Sequence, residues 1–259
     1  FRRVLFRSIT LEDAHEQFVI YCTNKDLTRK TLMAYESTLK LFFKYLEEEF
    51  NITELLKVEE KHIKEYLNFT KERGKYSFVT NSESAKINKP QNRTDFGKEV
   101  SKGTLNNYLR NIKVYFNFCF NDNYIKINPI ARIRQFKTTR KPKEDITDDD
   151  FKKLIKAIDT TKLHGHRDYV FIHLLMDTGM RVGECLSLKE ENVLNDRRAI
   201  FISSEICKGR KDRYVFYSPT MQRILNTWID YKDRYLNTDL LFPTNKGKIG
   251  RAQSELQSP

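Results

Sequence analysis

The stretch whose reading decides the fold is DTGMRVGECLSL, residues 177–188. An apolar run, DYVFIHLLM (168–176), leads into it. Its spacing predicts a helix near 166–177 that stops at Thr178 and Gly179, where glycine permits a tight junction. A second helix follows, anchored in this reading by Val182, Leu186 and Leu188. Between the two sits Arg181, among residues that belong in a core. A guanidinium in such a place needs either an acid to pair with or an anion to hold. Glu184 lies three residues on and can face the same side of the helix.

Working outward, AIFISS (199–204) and DRYVFYS (212–218) read like strands and are joined through KGRK, so they predict a β-hairpin. PTMQRILNTWIDYKDRYL (219–236) returns to helical spacing. Upstream, ITDDDFKKLIKAI starts another helix, with Thr147 as its N-cap and Asp148, Asp149 and Asp150 at its positive end. This half is therefore mixed α/β and mostly helix.

The other half is helical. Apolar stripes predict helices over 10–22 (Thr10 as cap), 27–50 (Thr28 as cap), about 59–72, and 101–125. Together they make a four-helix bundle. Residues 73–100 are polar and punctuated, and read as a loop or weak insertion. Residues 134–145, RQFKTTRKPKED, have charge, a proline and no apolar period, and read as an interdomain linker. The expected organisation is a helical domain over 9–133, the linker, and a second domain over 146–248.

The chain has 259 residues, of which 39% are hydrophobic and 9 are glycine, which fits two helical cores better than a β-sandwich. The formal net charge is +12. Residues 71–140 hold 15 Lys+Arg against 5 Asp+Glu, a local excess of +10. A solvated face would explain a charge run, but concentration this strong favours a polyanionic partner. No apolar run reaches the roughly 18 residues of a membrane span and no signal peptide is evident, so a membrane partner is not expected. Cys22, Cys119, Cys185 and Cys207 are scattered, without a C-x-x-C pair, and read as reduced thiols in a cytoplasmic protein. His164 and His166 lack a third ligand nearby, so no metal site is expected; they read as surface residues at a helix start.

With these motifs in order, the chain resembles the tyrosine recombinases, the phage-integrase family. DTGMRVGECLSLKEENV is similar to that family's first arginine box, CKGRKDRYVFYSP to its catalytic-lysine hairpin, and LLFPTNKGK (240–248) to the L-F-P-T segment that follows. LTRKTLMAYESTLKLFFKYL and GTLNNYLRNIKVYFNFCFNDNYIKINPI resemble the core-binding domain. The resemblance implies a SAM-like four-helix core-binding domain and a mostly helical catalytic domain with a small antiparallel sheet. It implies site-specific DNA strand exchange through a 3′-phosphotyrosyl intermediate, with double-stranded DNA as partner and no metal or ATP. It assigns Arg181 to the scissile phosphate and Glu184 to orienting the arginine region, with Gly179 supporting the junction. Lys208 becomes the proton donor to the leaving oxygen, favoured over Lys211 by position. Arg210, Lys211 and Arg213 become phosphate-backbone contacts. On the helix over 101–125, Lys102, Thr104, Asn107, Arg110 and Lys113 would face DNA, although a solvated helix face explains any one of them nearly as well.

The departures carry weight too. The family pattern continues with H-x-x-R, a His or Trp, and the nucleophilic tyrosine. No histidine follows His173 here, and Tyr214, Tyr217, Tyr231 and Tyr235 are not in the nucleophile's place. The expectation is a truncated integrase that binds duplex DNA as a monomer without cleaving it, from a parent that works as a tetramer. Alternatives are a non-catalytic DNA-binding module and a helical protein-interaction protein. FRRVLFRS (1–8) and the stretch 249–259 fit no neighbouring pattern. Codons exist for which the first is one strand of a short DNA resembling a sequencing adapter. The other strand, read from its third base with one base dropped, encodes IGRAQSE. Both are expected to be non-native tails.

Overall fold

The computed structural model describes residues 9–80, 86, 89, 92–139, 142–207 and 211–244. The chain divides into two compact units, Phe1–Lys141 and Pro142–Pro259. Both are built mainly of helices, with a three-stranded antiparallel sheet in the second.

In the first unit, α1 (Leu11–Asn24) starts at Thr10, whose hydroxyl accepts from the Asp13 N–H at 3.0 Å while Asp13 accepts from the Thr10 N–H, a reciprocal capping box. Thr28 caps α2 (Arg29–Phe50), and Asn51 ends it in the left-handed region, a conformation asparagine tolerates. Then come α3 (Glu60–Glu72) and α4 (Lys102–Asn121), the latter capped by Ser101. Every third or fourth residue of these helices is apolar, and those residues make one core. Phe18, Leu39, Phe42, Ile63, Tyr66, Ile112, Tyr115 and Phe116 are all essentially buried. Aromatic edges interlock there: Phe42 lies 5.0 Å from Tyr66 and Phe18 5.6 Å from Tyr115, centroid to centroid. Burying each such side chain is worth about 1.5–3 kcal/mol, which outweighs the cost of ordering it.

Two stretches read as loop and as linker make specific contacts where they are described. Gly74 and Gly97 both have φ above +70°, and a Cβ on Gly74 would lie 2.4 Å from the Gly97 carbonyl oxygen. That approach lets the backbones pair, with the Lys75 N–H donating to Lys98 O and the Gly97 N–H to Lys75 O. Lys44 of α2 donates to Val79 O and fastens this strap to the bundle. The start of the expected linker is also held. The buried Asn106 side chain of α4 both donates to Phe136 O (3.0 Å) and accepts from the Phe136 N–H (2.8 Å), as a neighbouring strand would. The first unit therefore runs past 133.

In the second unit, Thr147 caps α5 (Asp148–Lys156), which has no buried residue. α6 (Leu163–Thr178) and α8 (Pro219–Tyr235) pack together around Val170, Leu174, Leu225 and Trp228, whose indole N–H donates to Leu241 O. Between them lie α7 (Val182–Leu186) and strands β1 (Val193–Leu194), β2 (Ala199–Ile202) and β3 (Arg213–Phe216), in the order β1-β2-β3. The expected hairpin is β2–β3, with Ala199 opposite Phe216 and Ile202 opposite Arg213. The two-residue β1 is too short to show as alternation. Lys232 is fully buried in α8, donating to Glu190, Asp233 and Thr238 O; burial alone would lower its pKa, but the two carboxylates outweigh that and raise it.

Candidate functional site

The site is built on the break between α6 and α7. Gly179 closes α6 at φ +65°, its N–H donating to Leu175 O at 2.9 Å. A Cβ here would touch nothing within 4 Å, so glycine is required by the backbone angle and not by space. Met180 and Cys185 turn inward and are buried, as is Leu188, while Leu186 is partly so. Val182, expected to anchor α7, is half exposed: the five-residue helix turns its Cys185 side to the core. Arg181 sits at the N-cap of α7 and faces outward, with 61% of its side chain exposed.

Glu184 is the opposite case, with 3% of its side chain exposed. Its Oε2 accepts the Arg181 N–H at 3.0 Å and Oε1 accepts Arg181 Nη1 at 2.8 Å. From β3, Arg213 reaches the same carboxylate as a fork, Nη2 to Oε2 at 2.5 Å and Nη1 to Oε1 at 3.2 Å. Arg213 Nη1 also lies 2.8 Å from Cys207 Sγ. Burial would push the Glu184 carboxyl up. The hydrogen bonds from Arg213 and from both donors of Arg181 override it and hold the group at about 2. Two guanidiniums thus share one ionised carboxylate, leaving a net positive charge on the exposed side, where Arg181 points.

The structure brings Arg181, Glu184, Gly179 and Arg213 together. Arg213 was read as a phosphate-backbone contact; in the structure its fork engages Glu184, because Arg213 falls on the inward face of β3 with Val215. Lys211 is exposed just before β3, and the Asp212 carboxylate accepts the Ser204 N–H across the hairpin. Lys208 and Arg210 lie outside the described residues. On α4, Lys102, Asn107, Arg110 and Lys113 are exposed, while Leu105, Leu109 and Ile112 are buried behind them. Thr104 is half-buried, within hydrogen-bond distance of the capping Ser101 hydroxyl. It lines a cleft of about 690 Å³ together with Lys40, Arg73, Lys75, Tyr76 and Tyr108. Arg73 and Lys75 sit in the stretch read as loop, so sequence periodicity gave no reason to associate them with α4.

Elsewhere, His164 is exposed but His166 is half-buried against Trp228 and Tyr231, where desolvation lowers its pKa. Among the described residues no cluster of His, Cys, Asp or Glu could hold a metal ion, and no helix is long and apolar enough to cross a membrane. All four cysteines are buried free thiols.

Residues 144–255 match the Phage integrase family, and residues 16–85 match the phage integrase N-terminal SAM-like domain. The chain belongs to the tyrosine recombinase family. The first match extends past Lys248 into the stretch expected to be a tail. Among similar recombinases, XerC of Oceanobacillus iheyensis is 25% identical over 52% of this chain and 43% of its own length. XerD of Rickettsia bellii is 29% identical over 52% and 45%. XerD of Listeria monocytogenes is 23% identical over 85% and 65%. The chain thus spans less than two thirds of each of these recombinases. The fold is shared with a lambda integrase dimer bound to a COC′ core site (TM-score 0.64, 15% identity, covering 96% of this chain and 61% of that one). It is also shared with the Tn1549 transposon integrase in complex with transposon right end DNA (TM-score 0.68, 16% identity, covering 94% and 74%).

Proposed function

We propose that this recombinase chain binds duplex DNA and supplies part of the machinery for site-specific strand exchange. In that reaction a tyrosine attacks the scissile phosphate, forms a 3′-phosphotyrosyl bond and releases a 5′-hydroxyl. The bond energy is kept in the covalent link and returned on rejoining, so neither metal nor ATP is consumed. Arg181 holds the non-bridging oxygens as charge builds on them, since a planar guanidinium engages two oxygens and stays charged at any working pH. Glu184 orients it, and Lys208 delivers the proton to the leaving oxygen. Exposed Lys102, Asn107, Arg110, Lys113 and Lys211 contact backbone phosphates with Thr104, as does Arg210, and supply sequence-independent affinity.

The observation that carries this reading is the Arg181–Glu184–Arg213 cluster: an outward guanidinium, pinned by a buried carboxylate, in a chain of net charge +12. On this reading the first unit is the DNA-binding domain and the second carries the catalytic residues. In this reading strand exchange takes place in a tetramer on DNA in the cytoplasm, and these residues alone are monomeric in solution. These 259 residues hold no histidine after His173, hence no H-x-x-R downstream of Arg181. We propose that these residues by themselves bind DNA without cleaving it, as a non-catalytic DNA-binding module would.

A duplex nicked beside a candidate scissile phosphate traps any covalent intermediate. The expected result is a retarded complex that dissociates in denaturing gels. A protein–DNA adduct surviving denaturation contradicts the lack of cleavage, and absence of any complex contradicts the DNA-binding reading.

A further inference from the structure

We propose that Arg213 is a positioning residue which, acting through Glu184, fixes where Arg181 presents its guanidinium. The proposal rests on the reading of Arg181 as the phosphate-holding group. An arginine 61% exposed at a helix start has many rotamers, and ordering one costs conformational entropy. The contact that limits it is Nη1 to Glu184 Oε1, so the place of that oxygen decides the place of Arg181.

Glu184 cannot fix itself. The torsion that turns a carboxylate about its own bond is broad. The local donors are the Arg181 N–H on Oε2 and the very guanidinium to be positioned on Oε1. The independent restraint is the Arg213 fork, one nitrogen to each oxygen, which sets the carboxylate plane. Arg213 is in turn held by the sheet: it pairs with Ile202 across β2–β3, and its Nη1 meets Cys207 Sγ. Rigidity therefore passes from the sheet, through one buried carboxylate, to a side chain 32 positions earlier at the α6–α7 break. A lysine at 213 keeps the charge but offers a single ammonium and loses the plane, so Arg213→Lys separates positioning from simple neutralisation.

The test follows the Arg181 Nε–H resonance and the Glu184 side-chain carbon by NMR in the full chain, with core methyl signals as the fold control. Variants are Arg213→Lys, Arg213→Met, Glu184→Gln and the double variant Glu184→Gln/Arg213→Lys. The expected result is that Arg213→Lys leaves the core signals in place and shifts and broadens the Arg181 resonance. Arg213→Met raises the Glu184 titration midpoint by about 1–3 pH units, and in the Glu184→Gln background Arg213→Lys adds no further change at Arg181. An Arg181 resonance in Arg213→Lys that coincides with wild type overturns the proposal. So does an effect that persists undiminished without the Glu184 carboxylate. Titrating the wild-type chain with inorganic phosphate tests the underlying reading separately: an Arg181 resonance that ignores phosphate counts against its phosphate-holding role, while the coupling is decided by the variants.

Discussion

A carboxylate as buried as Glu184 stays charged only if its donors repay its lost hydration, and here two arginines and a backbone N–H do so. The consequence is a pH dependence with a definite sign. Because the folded-state pKa of Glu184 is held at about 2, below its ordinary 4.5, its ionised form contributes stability that is fully present above pH 4.5. That contribution is lost as pH falls from there towards 2. Glu184→Gln is expected to cost on the order of 1–3 kcal/mol at neutral pH and to flatten this acid limb, as measured by urea unfolding between pH 2 and 5. An acid limb as steep as that of wild type contradicts the assignment. The Arg181–Glu184 relation was legible in the sequence because three residues on a helix share a side. Arg213 was not, since it lies 29 residues from Glu184 and only the strand register brings them together. The alternation RYVF did put Arg213 on the inward face with Val215, a position where arginine requires an acid, so the signal existed without naming the partner.

At the scale of elements, the helices followed from apolar periodicity and from caps. Thr10, Thr28 and Thr147 all accept the hydrogen bonds expected of them. What periodicity could not reveal were features made by tertiary approach: the Gly74–Gly97 backbone contact, the short β1, and the Asn106 clamp on Phe136. Polar composition marked 73–100 and 134–145 as loop and linker, but composition says nothing about whether such a backbone finds partners. The clamp leads to a specific expectation. Asn106→Ala leaves the Phe136 N–H and C=O without their partner and costs about 1–3 kcal/mol. Hydrogen exchange at the Phe136 amide should accelerate while amides in the middle of α4 keep their protection. Unchanged Phe136 exchange would show that the amide bonds do not hold that segment.

For the whole molecule, the sequence showed two cores and an uneven distribution of charge. The structure divides the chain at Lys141–Pro142 with a separate hydrophobic cluster in each unit. Each unit carries one face of the functional proposal: exposed basic residues on α4 in the first, the arginine cluster in the second. Affinity built on such residues depends on releasing counterions, so it weakens linearly on a logarithmic salt scale. If Arg181 touches a phosphate, it accounts for part of that slope. The most direct measurement is therefore the salt dependence of binding to a mixed-sequence 40-bp duplex, by fluorescence anisotropy, for wild type and Arg181→Gln. The account predicts tight binding at low salt, a steep wild-type slope, and a slope shallower by about 0.9 for Arg181→Gln. Equal slopes for the two proteins would contradict the placement of Arg181 against the DNA backbone, and salt-independent or absent binding by wild type would contradict the DNA partner itself.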